Sequence, residues 1–92
     1  MNDFFDNLGQ HWVSAAGRRG ANIEAPELDP LVALELLELA RVAAHTQERR
    51  FAPLACYMAG VAAERLAKAG AAHDGSAIAG LIQEVRQALE TA

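Results

Sequence analysis

The sequence predicts an all-α protein, a compact bundle of four helices forming a single domain over residues 1–92. Three observations lead there. Apolar residues recur at spacings of three and four in four separate segments, and no stretch alternates as a strand would. Leu, Ala and Arg dominate while Ile, Thr and aromatics are scarce, a balance that favours helix over sheet. Residues that start and stop helices, such as Asp29-Pro30 and Gly70, bracket the segments.

The first helix is expected from about Asp3 to Ala16. Phe4, Leu8 and Trp12 recur every four residues with Phe5, Val13 and Ala16 alongside, Asn2 or Asp3 can cap it, and Gly17 and Gly20 around Arg18 and Arg19 end it. Trp12, the only tryptophan, is expected in the core. The second helix starts with Asp29 as N-cap and Pro30 at its first position, where a missing N–H costs nothing, and runs to about Gln47. Leu31, Leu34, Leu36, Leu37, Leu39, Val42 and Ala43 surround most of the cylinder, so this helix should be largely buried. Glu35, Glu38, Arg41, His45 and Glu48 make one narrow polar stripe, either the single solvent face or the lining of a cleft.

The third helix should begin at Pro53 and end near Ala69, with Gly70 as its C′ residue. Its first half carries no charge, which marks it as the central helix. Ala55, Cys56, Ala59, Gly60 and Ala63 are small enough for close helix approach. Gly60 costs about 1 kcal/mol against alanine inside a helix, so a neighbour is expected against it. Asp74 or Ser76 caps the fourth helix, which runs to about Glu90. Its seam of Ile78, Ile82, Val85 and Leu89 closes the bundle or meets a second copy of the chain, and Gln83, Glu84, Arg86 and Gln87 lie outside.

A chain this short buries only roughly 60–65 % of its unfolded surface, so a homodimer is a natural way to add burial. The net charge is −4 and no basic stripe exists, which argues against nucleic acid. The acidic run from Glu24 to Glu38 reads as a solvated face. Cys56 stands alone, so no intrachain disulfide and no oxidising compartment are implied. The opening "MNDFFDNLGQ" has neither a basic region nor an apolar core of a signal peptide, and the longest apolar run, Phe51 to Ala63, is too short to span a bilayer. A cytoplasmic protein with no membrane association is expected. Seven arginines to one lysine, with abundant alanine, point to a GC-rich bacterial genome.

The sequence offers no catalytic constellation. His11, His45, His73 and Cys56 are far apart and none pair at helical spacing, so no metal and no cofactor are expected. Cys56 with His45 is the only conceivable thiol–imidazole pair, but Cys56 lies in an apolar helix where burial makes a thiol inert. Ser14 and Ser76 lack a glycine-flanked elbow, and "GRRG" is too short to cradle phosphate. Glu35 and Glu38, one turn apart, read as an exposed helix face, the more so with Arg41 three residues on. The connector between the second and third helices is the best candidate site. Arg41, His45, Arg49 and Arg50 gather there, beside the start of the third helix. The bland reading is that the cations compensate a helix C-terminus; the functional one is a partner surface or an anion site using the third helix's free N–H groups.

The stretch "LLELARVAAHTQERRFAPLACYMAG" resembles a small actinobacterial helical domain of uncharacterised function. The matching residues are Leu36, Leu37, Leu39, Ala40, Arg41, Ala44, His45, Arg49, Ala52, Pro53, Leu54, Tyr57, Met58 and Gly60, with Trp12 upstream. That domain occurs alone, attached to the guanylyltransferase that makes molybdopterin guanine dinucleotide, or near genes for formate dehydrogenase maturation. The resemblance implies an accessory role, with a protein partner, in molybdenum-cofactor metabolism. Together with the lack of a catalytic constellation it leads to the expectation of a non-enzymatic accessory or interaction protein. A small anionic-ligand module at the connector and a structural homodimer are the alternatives.

Overall fold

A computed structural model describes residues 3–91. Four helices follow one another: α1 (Asp3–Arg18), α2 (Pro30–Thr46), α3 (Phe51–Lys68) and α4 (Gly75–Thr91), making an all-α bundle. The expected cap at Asn2 lies outside the described residues; Asp3 already belongs to α1.

Local chemistry sets the boundaries. Leu31 and Val32 donate their backbone N–H groups to Asp29 Oδ1 at 2.8 and 3.2 Å, and Pro30 occupies the first turn. Asp74, not Ser76, caps α4, accepting from the Ala77 N–H at 2.8 Å. α1 and α3 both end on a glycine in the left-handed region, Gly20 at φ 79° and Gly70 at φ 83°. In each case two N–H groups turn back onto the last-turn carbonyls, Gly20 to Gly17 and Ala21 to Ala16, then Gly70 to Ala67 and Ala71 to Leu66. α1 therefore runs through Gly17 to Arg18, two residues past the expected end.

α3 starts at Phe51 rather than Pro53. Phe51 and Ala52 donate to the Glu48 and Arg49 carbonyls at 3.0 and 3.1 Å, winding one tight turn ahead of the proline. Proline is tolerated at the third helical position because the first four N–H groups of a helix have no intrahelical acceptor.

α2, not α3, is the central helix. It packs against α4 on one side and α3 on the other, and these are the two extensive helix interfaces among the described residues. Among the described residues, the buried apolar side chains are Leu39, Val42 and Ala43 of α2 and Ile82 of α4, whereas no residue of α3 is buried. Two polar contacts fasten the flanking helices to α2. Arg86 Nε reaches Glu35 Oε1 at 3.1 Å from α4, and the Cys56 thiol donates to the Leu36 carbonyl at 3.7 Å from α3. Arg86 thus leaves the outer face expected of it and stands half-buried between Glu35 and Glu90.

α1 stands apart. It rests on the loop before α2 through Gly9, where an added Cβ would lie 3.0 Å from the Pro26 carbonyl and 3.7 Å from Ala25 Cβ. Phe4, Leu8 and Trp12 remain exposed, Trp12 by 55 %, so Trp12 is not in the core. The reason is topological: a helix-period stripe says that one face seeks burial, but not that the same chain covers it. The radius of gyration, 14.3 Å, exceeds the about 12 Å of a globular domain this long. The accessible surface tells the same story. It is 6932 Å², against about 5,200 Å² for a folded monomer of this mass.

Candidate interaction surface

Among the four predicted site residues, Arg41 and His45 lie on the outer face of α2, one turn apart, and Arg49 and Arg50 lie in the connector to α3; all four are exposed. Arg41 makes a two-pronged contact with Glu38, both bonds at 3.3 Å. The guanidinium's hydrogen bond, then its charge, holds the Glu38 carboxyl below the usual carboxylate range. Arg50 meets Glu48 at 3.5 Å in open solvent. His45 and Arg49 make no side-chain hydrogen bond or ion pair with the described residues, and the α2 terminus is closed by others. Thr46 Oγ1 donates to the Val42 carbonyl at 2.7 Å and the Gln47 N–H to Ala43 at 3.1 Å. His45 and Arg49 are therefore not needed as side-chain caps, and both are presented to solvent.

The polar stripe of α2 divides between two surroundings. Glu35 turns toward α4 and its ion pair with Arg86, whose own charged form is strengthened by the Glu90 hydrogen bond at 2.7 Å and then by Glu35. Glu38, Arg41 and His45 face solvent. At the start of α3, the Phe51 and Ala52 N–H groups are already bonded and Pro53 has none.

Apolar side chains accompany these charges on the outside. Leu34 and Leu37 are 62 % and 68 % exposed, at helical spacing with Arg41 on the outer face of α2. The expectation of a largely buried α2 thus holds only for its Leu39–Val42–Ala43 side. On α3, Leu54, Tyr57 and Met58 are 61 %, 74 % and 70 % exposed and share one face with the half-buried Val61. That spacing of three, four and seven is the stripe by which a helix seeks a partner, and it points away from α2. The charge-free first half of α3 is thus explained differently than by burial in the chain's own core: it has two apolar faces, and only one is covered. The signal for this was present, since Leu54, Tyr57, Met58 and Val61 are large while Ala52, Ala55, Cys56, Ala59 and Ala63 are small. The small side chains fit against α2 and the large ones point away.

No groups of three or more His, Cys, Asp or Glu side chains that could hold a metal occur among the described residues. Among the described residues, no helix is long and apolar enough to cross a membrane. Burial raises the Cys56 thiol above its ordinary range, the setting of a structural rather than a nucleophilic cysteine.

A family described as a domain of unknown function, DUF6457, matches residues 6–92. No curated protein and no solved structure matches the chain.

Proposed function

We propose that this chain, which belongs to the DUF6457 family, is a non-enzymatic interaction module that docks a partner protein on the outer faces of α2 and α3. The observation that carries this reading is the exposure of five large apolar side chains, Leu34, Leu37, Leu54, Tyr57 and Met58, on two helices that pack against each other through their other faces. A monomer gains nothing by presenting such faces to water, and patches of this kind mark interaction sites. Arg41, His45, Arg49 and Arg50 supply exposed polar groups on and next to the α2 face, where such groups set orientation and on-rate.

The resemblance of residues 36–60 to the domain attached to the molybdopterin guanylyltransferase supports a partner in molybdenum-cofactor maturation, in a bacterial cytoplasm. Binding of purified guanylyltransferase to the chain tests it. Leu37→Asp with Tyr57→Asp should abolish binding while helicity is kept. Failure to bind any cofactor enzyme, together with unchanged molybdoenzyme activity when the gene is deleted, overturns the molybdenum assignment. Undiminished binding by the double variant overturns the docking face.

Self-association is a second reading, favoured by the surface of 6932 Å² where a compact monomer exposes about 5,200 Å².

A further inference from the structure

α3 and α4 flank α2 without an extensive interface between them among the described residues. A groove of about 520 Å³ runs along this gap. Val32 and Leu36 of α2 form its floor, Gly60 and Ala63 one wall, Ile78 and Ile82 the other. This is the place that a fourth helix takes in a four-helix bundle. Gly60 stands in the wall with nothing within 4 Å of a Cβ added to it, so the neighbour its sequence position calls for is not in the single chain. A helix laid in the groove would be that neighbour, since helix axes packed 8–10 Å apart need small residues at the contact.

We propose that two copies of the chain pair by exchanging α1, each seating its Leu8–Trp12 face in the other's groove. α1 is the right piece: 16 residues long against 17 for α2 and α4, amphipathic, and held to its own chain through the loop before α2 rather than by either of the extensive helix interfaces. Residues 19–29, which join α1 to α2, carry no helix after the Gly20 turn and reach about 35 Å when extended, enough to hand α1 across. The areas agree. Each chain exposes about 1,700 Å² more than a compact monomer, and an obligate dimer buries about 1,000–2,500 Å² per partner. Because the exchange is reciprocal, each copy seating its helix in the copy whose helix it receives, it closes at two and builds no fibre. The proposal deepens the self-association reading and is independent of the outer docking faces of α2 and α3.

Sedimentation equilibrium of the whole chain tests it, with the fluorescence of Trp12, the sole tryptophan, as second readout. A dimer is expected, with blue-shifted Trp12 emission that moves to the red as dilution separates the copies. Gly60→Leu projects a side chain into the groove, and its Cβ meets nothing in the single chain. It should weaken dimerisation by about a hundredfold while helical circular dichroism is retained. Trp12→Ser should also give a folded monomer. A monomeric mass for the unaltered chain at high micromolar concentration overturns the proposal; blue-shifted emission from that monomer would show α1 folded back on its own groove. A dimer that survives both Gly60→Leu and Trp12→Ser overturns the exchange but leaves self-association through another face standing.

Discussion

The Asp29 carboxylate occupies the space that a side chain on Gly75 would need. The two residues are far apart in sequence, yet the group that caps α2 lies against the first residue of α4. Gly75 is thus selected by packing, not by backbone conformation, since only Gly20 and Gly70 have positive φ. Gly75→Ala should destabilise the chain by about 1 kcal/mol, because the carboxylate must leave Leu31 and Val32 to make room. In an Asp29→Ala background the same change should cost nothing. A urea-unfolding double-mutant cycle reads the difference, and additive effects would disprove the coupling.

Arg86 joins α2 to α4 through Glu35 and braces its own helix through Glu90. The Glu35 contact is sheltered on both sides, with side-chain exposures of 14 % and 21 %, whereas Glu90 is 40 % exposed. Arg86→Ala leaves Glu35 half-buried without its partner and should lower the melting temperature more than a loss at Glu90 does. Glu90→Ala should cost about 0.5 kcal/mol or less, as an exposed helical pair does. Thermal melts at fixed protein concentration check the ranking.

The Glu38–Arg41 contact predicts a pH signature. Arg41 lowers the folded-state pKa of Glu38 below its unfolded value. The stabilisation is then fully present above the ordinary carboxylate pKa and is lost as pH falls through the lowered folded value. NMR titration should find the Glu38 carboxyl shifted down in the unaltered chain and returned toward the ordinary carboxylate range in Arg41→Ala. An unshifted Glu38 in the unaltered chain would show that the contact does not persist in solution.

Leu37 and Leu39 sit two residues apart on α2 and should answer truncation in opposite ways. Leu39 is 4 % exposed and Leu37 68 %. Leu39→Ala should cost about 3 kcal/mol, and Leu37→Ala should change stability by no more than about 0.5 kcal/mol while weakening partner binding. Chemical denaturation separates the two. A large loss at Leu37 would mean that α2 is covered on both sides.

Much of the fold is legible in the sequence because caps are local. Asp29-Pro30, Asp74 and Gly70 act within a turn of themselves, and each stands where its side chain or backbone freedom predicts. The start of α3 misleads because proline fits any of the first helical positions, so Pro53 marks the first turn without fixing its first residue. What covers an apolar face is not local. Trp12, Leu37 and Tyr57 have the spacing of core residues, and spacing cannot tell a face that meets another helix of the same chain from one that does not. The Arg86–Glu35 bridge spans 51 positions and leaves no periodic trace, whereas Glu90, four residues on, did offer Arg86 a partner. At the connector, residue types picked out the exposed cations, but the turn that uses the Phe51 and Ala52 N–H groups depends on backbone geometry.

The Cys56 thiol, hydrogen-bonded to the Leu36 carbonyl, makes the α2–α3 seam a clock. The thiol is only partly exposed, so a thiol-specific reagent modifies it faster when the helices part. The rate of labelling therefore rises with those partings in an unaltered chain, with no second cysteine to confuse the signal. Any partner that lies across the seam should slow the clock, and one that binds elsewhere should leave its pace unchanged.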